Sequence, residues 1–249
     1  MIMIEMSLNN METIKLDKKN VLMIAHRGLC GFERENTIPA FVAAGNHTYY
    51  GCECDIHKTK DGHYVVIHDS DTARVAGTSL IVEEATLEEI KAVELLGLFD
   101  GVKHTSLRIP TLEEYILCCK RYNKKCIVEF KGEFDKESVF EVIEIIKGLE
   151  YLEECIFISF YFNNLLFVLE YDKKLPCQLL LTELFPEAID AIQKYRMDID
   201  INFHKITKEQ VEFIHSLGLK VNVWSVNTLE DGMRMVEYGV DYITTNILE

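Results

Sequence analysis

Residues 51–69 read GCECDIHKTKDGHYVVIHD, mixing cysteines, carboxylates and histidines in one short stretch. Two chemistries compete for it. Cys52, Cys54 and His57 are ligand types that suit zinc, whereas Glu53, Asp55 and His68 suit a hard cation and proton transfer. Strand alternation separates them. If the run 50–56 is extended, Glu53 and Asp55 share one face while Cys52, Cys54 and Ile56 share the other. Cys54 and His57 then point to opposite faces, so the zinc set is divided and the cysteines are expected to be small packing residues.

Two carboxylates at i and i+2 have Cα atoms roughly 6–7 Å apart, within reach of one ion. In KCIVEFK (125–131), Glu129 and Lys131 likewise share a face, with Val128 and Phe130 opposite. Three carboxylates converging on one place repel unless a cation lies among them. All-oxygen ligation favours Mg²⁺ or Ca²⁺ over zinc. Glu53, Asp55 and Glu129 are therefore expected to hold one divalent cation. A solvated strand face is the competing reading, and the charged pair Glu129/Lys131 weighs against it.

His26 and His68 each end an apolar run, VLMIAH and YVVIH, and each adjoins a charged residue, Arg27 or Asp69. A single histidine in that setting is more often structural. Two of them flanking a cation site can act as general acid and base, because imidazole titrates near neutrality. Arg27 and Lys131 supply the charge and donors that suit a phosphate. Acid, base, divalent cation and two phosphate-reading cations describe phosphodiester cleavage. His47, His57, His63, His104, His204 and His215 have no comparable setting and are given no role.

These residues need elements to bring them together. Strand candidates are VLMIAH (21–26), YGCECDI (50–56), KCIVEFK, CIFISF (155–160), PCQLLLT (176–182), DIDINF (198–203), KVNVWSV (220–226) and DYITTN (241–246). Between them lie segments of helical period, among them TIPAFVAAGNH, TLEEIKAVELL, TLEEYILCCKRY and KESVFEVIEIIKGL, several starting at a threonine that suits an N-cap. Eight β-units in βα alternation imply a parallel sheet with helices outside, and eight can close into an α/β TIM (β/α)8 barrel. An open doubly wound sheet is the alternative. In a barrel, chemistry collects at the C-terminal ends of strands. There the sequence places His26-Arg27, Glu53/Asp55, Glu129/Lys131, Ser159 and Trp224. Residues 70–110 contain no clean βα unit and read as a small insertion after the second one, an excursion on the loop side. Residues 1–20 read as an N-terminal extension and 21–249 as the barrel domain.

At 249 residues the chain is long for an ordinary domain and usual for one barrel. A net charge of −15 disfavours nucleic acid and anionic membrane as partners, yet leaves room for a small anionic substrate in a cleft with local positive charge. Eight irregularly spaced cysteines, an opening without the features of a signal peptide, and no apolar run of the roughly 20 residues a span requires point to a cytoplasmic chain without membrane insertion. Nothing in the residues speaks to oligomeric state.

In order along the chain, AHRG, ENTIPAF, ECDIHKTKDGHYVVIHD, VEFK, VNVWSVN and GVDYITT resemble the glycerophosphodiester phosphodiesterase family, over about residues 21–246. The resemblance implies a TIM barrel, of the phospholipase C-like phosphodiesterase superfamily, that hydrolyses glycerophosphodiesters to glycerol 3-phosphate and an alcohol with a divalent cation. Carried over by position, it implies Glu53, Asp55 and Glu129 as metal ligands and His26 and His68 as the acid–base pair. It further implies Arg27 and Lys131 as phosphate contacts, Asn36 as a brace of the site and Trp224 as an aromatic at its rim. Ordinary core packing is the competing reading of Trp224. Two departures stand out: Arg34 occupies the place where the family commonly has proline, and the chain reads ITTNILE where the family continues to Asp and Pro. The family's variable insertion, here 70–110, borders the leaving-group side. A phospholipase D-like enzyme acting on lysophospholipids would instead line a groove with apolar residues of 70–110. A catalytically silent barrel that binds phosphate esters would lack one of the charged positions.

Overall fold

In the computed structural model, which describes residues 12–249, each β-rich run becomes a strand. In chain order the elements begin with β1 (Leu22–Ala25), α1 (Ile38–Gly45), β2 (Gly51–Lys58), β3 (Tyr64–Val66), α2 (Ala73–Ala76), α3 (Leu87–Ala92), β4 (Leu95–Leu96) and β5 (Lys103–His104). The regular half follows with α4 (Leu112–Arg121), β6 (Lys125–Phe130), α5 (Lys136–Gly148), β7 (Cys155–Ser159), α6 (Phe162–Tyr171) and β8 (Cys177–Leu181). It ends with α7 (Pro186–Tyr195), β9 (Asp198–Asn202), α8 (Lys208–Ser216), β10 (Val221–Trp224), α9 (Leu229–Tyr238) and β11 (Tyr242–Thr245).

Strands β1, β2, β6, β7, β8, β9, β10 and β11 are neighbours in that order, all parallel. The ring closes because β1 pairs with β11 on one side and with β2 on the other. The expected eight-stranded barrel is the observed one, and the open sheet is excluded by that closure. Helix starts follow local chemistry: the Thr111 and Thr207 side chains each accept from a backbone N–H three residues on, completed by Glu114 and Gln210 as capping boxes.

Alternation along the strands sorts the core into two layers. Cys52, Cys54, Ile56, Val128, Phe130, Phe157, Ile199, Ile201 and Val223 face outward and pack with the helices. Ile24, Ile127, Ile156, Ile158, Leu180 and Tyr242 fill the barrel interior. The inward face also carries Glu53, Asp55, Glu129, Gln178, Asp200 and Asn222, all buried. Burying that many polar groups is costly unless each finds a partner or a ligand.

The 70–110 excursion lies between β2 and that unit's helix α4, not beyond the helix. It has a small core of its own, in which Val65, Ile67, Val82, Ile90 and Leu95 are buried together. The helix expected across TLEEIKAVELL stops at Ala92. Val93 is extended (φ −67°, ψ 125°), and Leu95 pairs antiparallel with His104. Burial of Leu95 in the local core outweighs its helical propensity there. The first eleven positions of the expected N-terminal extension lie outside the described residues. Beyond them, Ile14 and Leu16 donate backbone hydrogen bonds to Ile247 and Glu249 (3.1 and 2.8 Å), tying both ends of the described chain together.

Candidate active site

The loop from β1 to α1 does most of the positioning. His26 leaves the barrel rim with its N–H donated to the Thr245 carbonyl (2.9 Å), and the chain then turns through left-handed residues at Arg27 (φ 55°) and Gly28 (φ 77°). At Gly28 a Cβ would lie 2.6 Å from the Ala40 carbonyl carbon, so only glycine fits beneath α1. Asn36 is also left-handed (φ 53°) and donates its N–H to the Arg27 carbonyl (3.0 Å). A non-glycine residue in that region is strained by about 1–3 kcal/mol and persists where its surroundings hold it. Here the holding groups are carboxylates: the Arg27 N–H donates to Glu53 Oε2 (2.8 Å), and Asn36 Nδ2 donates to Asp55 Oδ2 (2.7 Å).

Glu53 and Asp55 on β2 meet Glu129 on β6, the direct strand partner of Asp55. One carboxylate oxygen from each lies within 4.8 Å of the others, and all three residues are buried. Lys131 Nζ lies 2.9 Å from Glu129 Oε1 and 3.5 Å from Asp55 Oδ1, and Arg27 Nε is 3.2 Å from Asp55 Oδ2. Two cations are too few for three buried acids. Burial and the neighbouring acids Asp55 and Glu129 raise Glu53 far above the usual carboxylate range. Burial and Asp55 push Glu129 up to about 8. Asp55 goes the other way: burial opposes ionisation, but Arg27 and Lys131 overcome it and hold the group low. Glu53 Oε1 and Asp55 Oδ1 are buried without a hydrogen-bond partner among the described residues. Hard oxygen donors, close spacing and two orphaned oxygens fit a divalent cation well.

Each expected histidine is held at Nδ1. His26 Nδ1 is 2.7 Å from Asn246 Oδ1, an oxygen that can only accept, so the proton sits on Nδ1 and Nε2 keeps its lone pair. Burial and the Arg27 charge lower its pKa to about 4. His68 Nδ1 is 2.6 Å from Asp69 Oδ1, which fixes the same tautomer. Asp69 in turn accepts from Arg74 Nε (2.7 Å), and Arg74 grips Glu35 through Nη1 and Nη2 (2.6 and 2.8 Å). Glu35 also accepts from Arg27 Nη1 (2.8 Å), so one chain of ion pairs connects Asp55 to His68 through Arg27, Glu35, Arg74 and Asp69. Hydrogen bonds from Arg74 and His68 hold Asp69 at about 2 against partial burial.

Glu53, Glu129 and both histidines line one cavity of about 210 Å³, and Asp55 is buried beside them in the carboxylate cluster. Arg27 and Lys131 lie on its charged side; Ile158, Phe160, Leu180 and Trp224 form the opposite wall, with Asp200 and Thr244. Trp224 is half-buried, donates Nε1–H to the Asp200 carbonyl (3.2 Å) and meets Phe160 edge-on at 5.8 Å. It therefore lines the cavity wall while its ring also packs against the residues that fill the barrel interior. The nine expected site residues gather here: six charged or imidazole groups and Trp224 line the cavity, Asp55 lies in the carboxylate cluster beside it, and Asn36 bonds to Asp55.

Residues 26–249 match the model of the glycerophosphoryl diester phosphodiesterase family. The chain belongs to the glycerophosphoryl diester phosphodiesterase family. It is 33% identical over 234 residues to a glycerophosphodiester phosphodiesterase of Caldanaerobacter subterraneus subsp. tengcongensis, covering 90% of this chain and 93% of that protein. It is 26% identical to one from Bacillus subtilis, over 93% of this chain and 85% of the relative. Among solved structures, a family member from Thermotoga maritima superposes with a TM-score of 0.70 at 26% identity, over 91% of this chain and 94% of that one. An Oleispira antarctica phosphodiesterase in complex with the product sn-glycerol-3-phosphate gives 0.82 at 21% identity, over 90% and 92%, a likeness of fold. As a member of this family the chain is a phosphoric diester hydrolase.

Both departures from the family pattern have structural consequences. Arg34 donates Nε–H to the Leu96 carbonyl (2.6 Å) and Nη2–H to that of Gly97 (2.8 Å), strapping the β4–β5 hairpin onto the β1–α1 loop. The divergent ITTNILE end supplies Asn246, the partner of His26. Sequence reasoning missed Asn246, Glu35, Arg74 and Asp200 altogether and noted Asp69 only as a neighbour of His68. His57, given no role, is buried on the carboxylate face, and its Nε2 is 3.1 Å from the His68 carbonyl, so it braces the backbone beneath that histidine. Its i+4 spacing from Glu53 was the available signal. Cys52 and Cys54 pack on the outer face as expected, and all eight cysteines are free thiols.

Proposed function

We propose that this chain hydrolyses glycerophosphodiesters to glycerol 3-phosphate and an alcohol, with the barrel of 21–249 as the working unit. Glu53, Asp55 and Glu129 are the residues that would hold one divalent cation, Mg²⁺ or Ca²⁺. When bound, such an ion supplies charge stabilisation at the phosphoryl oxygens. Arg27 and Lys131 bind and orient the phosphate from the same side, adding preorganised positive charge as its oxygens gain charge. His26 and His68, each with Nδ1 tied and Nε2 free, act as the acid–base pair. One takes a proton from the nucleophile, water or the substrate's own glycerol hydroxyl; the other protonates the departing alkoxide as its P–O bond breaks. Asn36 and Trp224 position the carboxylates and the wall.

The observation that carries this reading is the pair of tautomer-fixed histidines sharing one cavity with Arg27, Lys131 and two members, Glu53 and Glu129, of a buried cluster of three acids. Every charged position is in place, which argues against a silent barrel. The apolar residues of 70–110 either pack into a core of their own or, as with Ile81, Phe99 and Val102, lie exposed, and none lines the cavity, which argues against a lysolipid groove at the cavity itself. Among the described residues no helix is long and apolar enough to cross a membrane. Buried free thiols suit a reducing cytoplasm.

Release of the head-group alcohol from a panel of glycerophosphodiesters, where glycerol 3-phosphate is the other product, and from a long-chain lysolipid, where an acylated glycerol phosphate is, run with Mg²⁺ and with Ca²⁺, tests the reading. Turnover should need the cation, favour the glycerophosphodiesters and fall by about 10²–10⁴-fold in His26→Ala and in His68→Ala. Near-normal turnover in either folded variant would overturn the acid–base scheme.

A further inference from the structure

Asp200 is the one buried acid of the cavity that the proposed reaction does not use. It sits on β9 with its side chain turned into the barrel, 2% exposed, and its Oδ1 has no hydrogen-bond partner among the described residues. It does not belong to the cation cluster, whose three carboxylates are Glu53, Asp55 and Glu129.

The neighbours of Asp200 explain why it is left over. Its strand partner Leu180 offers no donor. Its other partner, Asn222, donates Nδ2–H to Gln178 Oε1 (3.1 Å), bypassing it. The Thr244 hydroxyl donates to Asn222 Oδ1 (3.2 Å), and the Trp224 indole N–H is spent on the Asp200 backbone carbonyl (3.2 Å). Lys131 is engaged by Glu129 and Asp55. The polar side chains beside Asp200 on β9–β11 thus bond elsewhere and, unlike the orphaned oxygens of Glu53 and Asp55, its bare oxygen lies outside the cation cluster, an arrangement that costs stability unless a ligand completes it.

We propose that Asp200 is the specificity residue for the glycerol arm of the substrate, pairing its carboxyl with a glycerol hydroxyl deep in the cavity. This inference rests on the proposed reaction and adds what selects its substrate. The cavity is small, about 210 Å³, and opens beside Phe160, which is 43% exposed. One arm of a diester is enclosed, and the other lies at the mouth. The wall around Asp200 is otherwise Ile158, Leu180, Trp224 and Thr244, whose hydroxyl is turned to Asn222, so a short carbon chain packs there while its hydroxyl meets the carboxyl. A carboxyl pairs with a hydroxyl in either protonation state: it accepts when ionised, and it both donates and accepts when neutral. Sites with a buried polar group reject analogues that cannot pair with it, because the group is then left bare.

The test compares Asp200→Ala and Asp200→Asn with the wild type, with Mg²⁺ or Ca²⁺ present. Calorimetry measures binding of glycerol 3-phosphate and of ethyl phosphate, which lacks the hydroxyls, and steady-state kinetics follows glycerophosphocholine. Wild type should prefer glycerol 3-phosphate, and Asp200→Ala should lose about 10–100-fold of that preference, with ethyl phosphate affinity little changed. KM for glycerophosphocholine should rise more than kcat falls. Asp200→Asn, close in size and still able to pair, should recover part of the preference. The inference is overturned if both ligands weaken together, as a structural role requires, if neither changes, or if the wild type shows no preference. Failure of the wild type to release glycerol 3-phosphate would sink the proposed reaction instead, and the two binding measurements would still judge Asp200.

Discussion

Replacing Asp69 by asparagine should damage the site in a way that a second substitution repairs. Asp69 Oδ1 faces His68 Nδ1 at 2.6 Å, and its Oδ2 accepts from Arg74 Nε at 2.7 Å. An asparagine there has one oxygen and one NH₂. Arg74 can only donate, so it draws the amide oxygen toward itself and leaves the NH₂ facing His68. The histidine must then present a bare Nδ1, which moves its proton to Nε2 and reverses the role that Nε2 plays in the free enzyme. A general acid or base held in the wrong tautomer loses about 10²–10³ in kcat, or about 2.7–4.1 kcal/mol of transition-state stabilisation. Stability should change by only about 1 kcal/mol or less, because Arg74 is 44% and Asp69 31% exposed and such pairs are screened. Arg74→Ala alone should cost about threefold to tenfold. In the double variant the asparagine is free to turn its oxygen to His68, so Asp69→Asn with Arg74→Ala should be about tenfold faster than Asp69→Asn alone. Steady-state kinetics on glycerophosphocholine with thermal melts on all four proteins is the assay. A double variant as slow as the product of the two single losses would refute the tautomer argument.

Three further outcomes follow from the same geometry. In EDTA, Glu129 has a folded pKa of about 8, above its ordinary 4.5, so its contribution to stability is full below the lower value and is lost as pH rises through the upper one. The wild-type melting temperature should fall between pH 5 and 8.5, less so in Glu129→Gln, and saturating Mg²⁺ or Ca²⁺ should restore only the wild type; identical pH profiles would contradict this. Gly28→Ala puts a Cβ 2.6 Å from a backbone carbon at φ +77°, and urea unfolding should show a loss of at least about 1–3 kcal/mol; an unchanged midpoint would be inconsistent with the packing. Arg34→Ala removes two charge-assisted bonds to the Leu96 and Gly97 carbonyls, so limited proteolysis of the β4–β5 hairpin should accelerate about tenfold or more while kcat stays within about threefold.

Strand alternation has a period of two and depends on nothing beyond the local chain. The sequence by itself therefore determined that Glu53 and Asp55 face away from Cys52 and Cys54, that Glu129 accompanies Lys131, and that eight βα units follow one another. The same locality explains the one misplaced helix: TLEEIKAVELL has helical period throughout, and only burial of Leu95 against the insertion core draws its last residues into a strand. Partner choice is a different matter. Asn246 reaches His26 across 220 positions of chain, and Arg74 reaches Glu35 across 39, so neither bond leaves a trace in local pattern. Asp200 shows the difference most sharply. In DIDIN it reads as one more acid on a strand, because nothing nearby in sequence tells whether its neighbours' donors are free. The pairing of β9 with β8 and β10 places Leu180 and Asn222 beside it and lets Gln178 take the Asn222 amide. The fold and the cluster of charges were local information; which buried group is satisfied, and which is left for the substrate, was decided by the tertiary structure, since hydrogen-bond partners are allotted only once the strands are in register.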